Sequence, residues 1–186
     1  MKELETKILD IDMEKVRRIM IENKIPLVKK EEQINNIYDF EGMPLLKRKG
    51  YARVRVVNDM LRNKKEYYMT VKKMISQEKF KLMEENEVKV DNAEVAKKIF
   101  EALGLKLVQS IGKYRESYKY KNTLIEIDVN DKSFCPFPYV EIETTSESEL
   151  DEVLELLGYT LADTTSKTIY EILEERGVNH SNIKGI

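Results

Sequence analysis

Residues 3–7 read Glu3-Leu4-Glu5-Thr6-Lys7, inside the opening MKELETKILD. Read as a strand, this stretch puts Glu3, Glu5 and Lys7 on one face, because side chains alternate with period two. Leu4, Thr6 and Ile8 take the other face. A single such strand fits a solvated sheet edge in a chain that is 35% Asp, Glu, Lys and Arg. The pattern recurs, and its recurrence decides the fold. Arg53 and Arg55 share a face in YARVRVVND, opposite Ala52, Val54 and Val56. Tyr68, Thr70 and Lys72 do so in YYMTVKK, and Glu85, Glu87 and Lys89 in ENEVKV. Lys113, Arg115 and Ser117 line up in GKYRESY, Leu124, Glu126, Asp128 and Asn130 in TLIEIDVND, and Glu141 and Glu143 in PYVEIETT.

Like charges side by side on one exposed sheet face repel, so seven such strands are costly on a flat, solvated sheet. The cost disappears if acidic and basic strands face each other across a shared interior. The pattern therefore predicts an α+β fold built on an eight-stranded antiparallel β-barrel, with charged residues inside and apolar residues outside. Flanking amphipathic helices cover the apolar outer faces. A dry interior of unpaired ions costs several kcal/mol or more per ion, which argues for a wet tunnel holding a highly charged ligand. Lys7, Arg53, Arg55, Lys72, Lys113 and Arg115 offer donors to phosphate oxygens. Glu3, Glu5 and the downstream carboxylates suit Mg²⁺ or Mn²⁺, hard ions that take oxygen ligands.

The remaining elements fit this frame. Asp12 caps a helix through MEKVRRIMIENK, ended by Pro26, and INNIYDF is a short strand followed by a turn, EGMPLL. Asn92 starts the helix AEVAKKIFEAL before Gly104, and a hairpin turns at Lys121-Asn122. Ser146 and Glu149 have capping-box spacing ahead of LDEVLELL, and TIYEILEERG is a last short helix. The total is eight strands and four helices, in one domain over 1–178 with a short tail over 179–186. Tyr114, Tyr118 and Tyr120 are expected to pack on the outer face, Cys135 to pack in a core, and Lys47-Arg48-Lys49 to form a solvated loop.

Composition excludes several function classes. The formal net charge is −2 over 186 residues, so no basic track for a polynucleotide is expected. The single histidine, His180, lies in a polar tail, which leaves the chemistry to carboxylates, lysines, arginines and a hard metal ion. One cysteine rules out an internal disulfide framework, and the charged N-terminus has no apolar signal core. No stretch reaches the ~18 apolar residues of a membrane span. A cytoplasmic location is expected.

Taken in order, Glu3-x-Glu5-x-Lys7, Arg53-x-Arg55, Thr70-x-Lys72, Glu85-x-Glu87, Lys113-x-Arg115, Glu126-x-Asp128 and Glu141-x-Glu143 resemble the CYTH superfamily, the triphosphate tunnel metalloenzymes. The resemblance covers nearly the whole chain and closes on Lys167-x-x-Tyr170. It implies a tunnel that binds a triphosphate with Mg²⁺ or Mn²⁺. The implied metal ligands are Glu3, Glu5, Asp128, Glu141 and Glu143. The implied phosphate clamp is Lys7, Arg53, Arg55, Lys72, Lys113, Arg115 and Lys167, and the implied catalytic set is Lys7, Arg55, Lys113, Glu126 and Asp128. Glu87 is expected to pair with interior cations. The family contains class IV adenylyl cyclases, thiamine triphosphatases, inorganic triphosphatases and RNA triphosphatases. Hydrolysis of tripolyphosphate, thiamine triphosphate or ATP is the favoured expectation. Cyclisation of ATP to cyclic AMP and a non-catalytic polyphosphate- or nucleotide-binding module are the alternatives, and a homodimer stays open.

Overall fold

The alternation of ionic and apolar residues sets the strands, and their edges are placed by turns that keep the alternation in phase. The computed structural model describes residues 2–178, apart from the side chains of Lys2 and Glu3. The tail expected over 179–186, with His180, lies outside the described residues. The elements run β1 (Lys2–Leu9), α1 (Met13–Glu22), β2 (Leu27–Asp39), α2 (Pro44–Lys47), β3 (Tyr51–Asp59), β4 (Lys64–Gln77) and β5 (Lys81–Val90). They continue with α3 (Ala93–Ala102), β6 (Lys106–Tyr120), β7 (Thr123–Asn130), β8 (Tyr139–Thr144), α4 (Glu147–Leu157) and α5 (Ile169–Glu175). The strands close into a barrel in the order β1-β5-β4-β3-β2-β6-β7-β8, every pairing antiparallel.

Three apolar cores lie against the barrel. Val16 and Met20 of α1 and Leu150, Val153, Leu154 and Leu157 of α4 pack on Ile8, Ile125, Ile127, Val140 and Ile142. Ala93, Ala96 and Phe100 of α3 cover Ala52 and Val54 of β3, beside Tyr38. Leu173 of α5 and Leu46 of α2 meet Phe134, Cys135, Tyr139, Ile37 and Ile111 in the third. Each fully buried Leu, Ile or Val contributes about 1.5–3 kcal/mol, so the driving force for folding sits outside the tunnel. The expected packing of Tyr118 and Cys135 is what the structure shows.

Capping follows the sequence in part. Asp12 accepts from the backbone N–H groups of Glu14 and Lys15, and Asn92 from those of Glu94 and Val95. Ser146 caps α4, but the Glu149 carboxylate turns away to Asn122 and Thr123, so the reciprocal half of the expected box is not made. The segment EGMPLL, expected as a turn, contains α2, which raises the described helices from four to five. Proline at its start needs no N–H partner. The buried Asp39 carboxylate accepts from Leu45 and Leu46 N–H at 3.1 and 2.8 Å, fixing α2 to the end of β2. Strand β2 is also longer than INNIYDF and begins at Leu27. No helix among the described residues is long and apolar enough to cross a membrane.

Candidate functional site

The register carries the ionic residues into one space. Glu5 pairs with Lys81 across β1–β5 and with Glu143 across β1–β8, while Lys7 pairs with Glu141. Arg53 sits beside Thr70, Lys72 beside Glu85 and Thr70 beside Glu87. Arg115 neighbours Asp128, and Glu126 neighbours Glu141. All of these except Thr70, Glu126 and Asp128, which are fully buried, line a cavity of about 820 Å³ inside the barrel. The charged faces point inward, as the alternation predicted.

Two groups of cations line the walls. Arg115 grips Asp128 through Nε and Nη2, both at 2.6 Å, and its Nη2 also reaches Glu141 Oε2 at 3.1 Å. It forms an ion pair with Glu126 as well. Lys113 Nζ donates to Asp128 Oδ2 at 2.5 Å and to the Tyr139 hydroxyl at 3.3 Å, and Lys7 pairs with Glu141 at 2.7 Å. Across the cavity, Arg55 Nη2 lies 2.9 Å from both oxygens of Glu87, and Arg53 Nη2 lies 3.3 Å from Glu87 and from Thr70 Oγ1. Lys72 bridges Glu5 at 3.0 Å and Glu85 at 2.6 Å. Glu87 thus pairs with interior cations.

The acids separate into two kinds. Asp128 is engaged by Lys113 and Arg115, and both Glu5 oxygens are taken by Lys72 and Lys81. Burial alone would raise the Glu5 carboxyl, but Lys81 and then Lys72 outweigh it and hold it down to about 2. Glu126 and Glu141, also paired with Arg115 and, for Glu141, Lys7, converge with Glu143, their ligand oxygens all within 4.8 Å of one another. Glu143 has no hydrogen-bond or ion-pair partner among the described residues, and burial followed by the charge of Glu126 pushes it up to about 8. Three hard oxygen donors crowded this closely, one of them unpartnered, fit a divalent cation such as Mg²⁺ or Mn²⁺.

Most of the expected residues are brought together, with two exceptions. Lys167 is half exposed, pairs with Glu175 at 2.5 Å and does not line the cavity. The strand position of Glu3 adjoins Met83 of β5, but its side chain lies outside the described residues. Residues that sequence reasoning missed also face inward. Lys81 is the largest omission; it lies on the same alternation as Glu85 and Glu87, four residues upstream, and extending that face would have found it. Gln33 and Asn35 on β2 are buried, and Asn35 Oδ1 accepts from Arg53 Nη1 at 3.4 Å. Lys49, read as part of a solvated loop, lines the cavity and reaches Glu171 of α5 at 2.7 Å.

A family model, the CYTH domain, matches residues 1–169. The chain belongs to the CYTH family. Solved structures of the same fold include two proteins from Pyrococcus horikoshii OT3. The PH1012 protein has a TM-score of 0.73 at 23% identity over 91% of this chain and 98% of its own. The PH1819 protein reaches 0.75 at 22% identity, over 94% and 99% respectively. An adenylyl cyclase candidate from Hippeastrum, HpAC1, whose structure is described as revealing a dominant triphosphatase activity, aligns with a TM-score of 0.62 at 13% identity. It covers all of this chain and 91% of its own. Comparison with curated proteins gives no match. At these identities the structural likenesses establish the CYTH fold, and the reading of function rests on the site.

Proposed function

We propose that this CYTH protein is a divalent-metal-dependent triphosphatase that hydrolyses inorganic tripolyphosphate or a small organic triphosphate within its barrel. The observation that carries the reading is the pairing of two facing walls of cations with one converging acid cluster. Lys7, Lys113 and Arg115 stand on one side, Arg53, Arg55 and Lys72 on the other, and Glu126, Glu141 and Glu143 meet between strands β7 and β8. Several cations spread along a tunnel match a chain of phosphates better than a single phosphate, because each phosphoryl group needs its own donors. The fold is shared with a protein of dominant triphosphatase activity, which supports the reading by analogy only.

Glu141 and Glu143, with Glu5 and Glu126 beside them, would hold the ion. When bound, a divalent ion there supplies charge neutralisation to the phosphoryl oxygens. The chain's own contribution is positioning. Arg53 and Arg55 grip and orient phosphate oxygens, with Glu87 and Asn35 holding their guanidinium groups in the tunnel. Lys113 and Arg115, fixed by Asp128, offset the charge that develops on the transferring group, and Lys7 adds a donor beside Glu141.

Incubating the protein with tripolyphosphate, thiamine triphosphate and ATP, each with Mg²⁺ and with Mn²⁺, tests the proposal. Orthophosphate release is the expected result. Cyclic AMP with pyrophosphate from ATP would make it a cyclase, and tight binding without turnover would make it a binding module.

A further inference from the structure

Strand β2 carries an inward row of its own, in which Glu31, Gln33 and Asn35 are alternate residues on one face. Gln33 and Asn35 are buried, and their amides form a chain that ends on Arg53. Arg53 Nη1 donates to Asn35 Oδ1 at 3.4 Å, Asn35 Nδ2 donates to Gln33 Oε1 at 3.4 Å, and Gln33 Nε2 donates to Glu31 Oε2 at 2.6 Å. A primary amide turned over by 180° exchanges its donor and its acceptor, so each amide has two settings. The two ends of the chain decide between them. A guanidinium only donates and an ionised carboxylate only accepts. Arg53 therefore requires the oxygen of Asn35, and Glu31 requires the nitrogen of Gln33. One direction of the chain meets both demands, and it is the direction observed.

We propose that Gln33 is a positioning residue for the tunnel reaction, holding the Asn35 amide oxygen towards Arg53 so that the guanidinium stays aimed at the triphosphate. This rests on the reading above, in which Arg53 grips phosphate oxygens. Neither amide lines the cavity, so both act through the guanidinium. Without Gln33 the Asn35 nitrogen loses the acceptor that selects its setting, and the inverted amide sets N–H against N–H. The other ties of Arg53 run from Nη2 to Thr70 and Glu87, on β4 and β5. With the β2 tie lost, the guanidinium is held from that side only and turns towards Glu87, away from the phosphates.

A double-mutant cycle separates this from a packing role, or from a role through Lys113, which lies across β2–β6 from Gln33. The carboxylate of Asn35→Asp accepts through both oxygens and has no wrong setting, so it no longer needs Gln33. Tripolyphosphate is titrated calorimetrically in EDTA, and its hydrolysis followed with Mg²⁺, for the wild type, Gln33→Met, Asn35→Asp and the double variant. With Asn35 in place, Gln33→Met should weaken tripolyphosphate binding about tenfold, as for loss of one hydrogen bond to a charged group, and raise KM with kcat little changed. In the Asn35→Asp background the same substitution should change affinity by less than about twofold. Circular dichroism checks the fold. Glu31→Met, at the other end of the chain, should act in the same direction and serves if Gln33→Met fails to fold. Equal losses in both backgrounds, or no loss in either, overturn the inference. If the wild type itself does not bind tripolyphosphate, the phosphate clamp fails, and the triphosphatase reading and this inference fall with it.

Discussion

Replacing Arg115 with methionine tests the idea that the tunnel charges hold one another in place. The side chain is 9% exposed and its partners Glu126 and Asp128 are fully buried. Methionine occupies comparable volume but leaves the acids behind. Asp128 then retains Lys113, and Glu141 retains Lys7, but among the described residues Glu126 keeps only the Ser117 hydroxyl at 2.7 Å. Breaking a buried ion pair from one side costs about 3–5 kcal/mol. With two of the three acids still served by a lysine, the lower end applies, about 3 kcal/mol. In a domain of this size each kcal/mol shifts Tm by about 2–4 °C, so Tm should fall by roughly 6–12 °C. Differential scanning calorimetry at neutral pH in EDTA measures it directly. The second arm adds Glu126→Gln to Arg115→Met. Removing the stranded acid should recover about half of the loss, because residues in one network do not contribute additively. A Tm change under about 2 °C for the single variant, or a further fall in the double, would show that the charges are not mutually compensating.

Other predictions address the chemistry and the lip of the tunnel. Glu143→Gln should lower turnover on the order of 100-fold or more while leaving Tm unchanged or higher, since it removes an unpartnered buried acid; full activity at low Mg²⁺ would argue against the metal cluster. Arg55→Ala should raise KM for triphosphates far more than for monophosphates, and equal effects on both would argue against a phosphate clamp. At Gly50 an added Cβ would lie 2.5 Å from the Lys72 carbonyl oxygen, so Gly50→Ala should force β4 outward, cost about 1–3 kcal/mol and weaken triphosphate binding. A stable, fully active Gly50→Ala variant would show that the strand yields freely. Burial would raise Glu171, but hydrogen bonds from Lys49, Gln77 and Thr168 outweigh it and hold the carboxyl at about 2. Its contribution is therefore present above the ordinary carboxylate range and is lost as pH falls from about 5 towards 2. With the side chain 30% exposed, screening limits it to on the order of 1 kcal/mol. Urea unfolding from pH 6 to pH 2 should show a slope that flattens in Glu171→Gln; identical slopes would dismiss the contact.

The barrel was legible because its signal is periodic and repeated. No single pair such as Arg53 and Arg55 identifies a tunnel, but seven strands with the same inverted alternation leave few other arrangements. Strand β2 was only half visible, since its inward residues Gln33 and Asn35 are amides and its start, LVKKEE, looks like a charged loop. Helix α2 is four residues long, too short to show a helical period, and its anchor is a carboxylate at Asp39, several residues away. Lys81 escaped because Met83 interrupts the ionic run between it and Glu85. The division of labour among the acids was also hidden. Spacing alone cannot show that Asp128 is consumed by Lys113 and Arg115 while Glu126 joins Glu141 and Glu143. Lys167 was carried by family likeness alone, with no alternation to support it, and the structure places it outside the cavity.

The three apolar cores press on the strands mainly from outside, while the charged residues to which the proposed chemistry falls sit on the inner surface of those same strands. Each strand thus behaves as a two-sided wall, anchored by one side and decorated on the other. Swapping one inward residue for another of the same sign leaves the anchoring side untouched. On such a scaffold the inner charges can be rearranged while the packing that holds the barrel closed stays as it is.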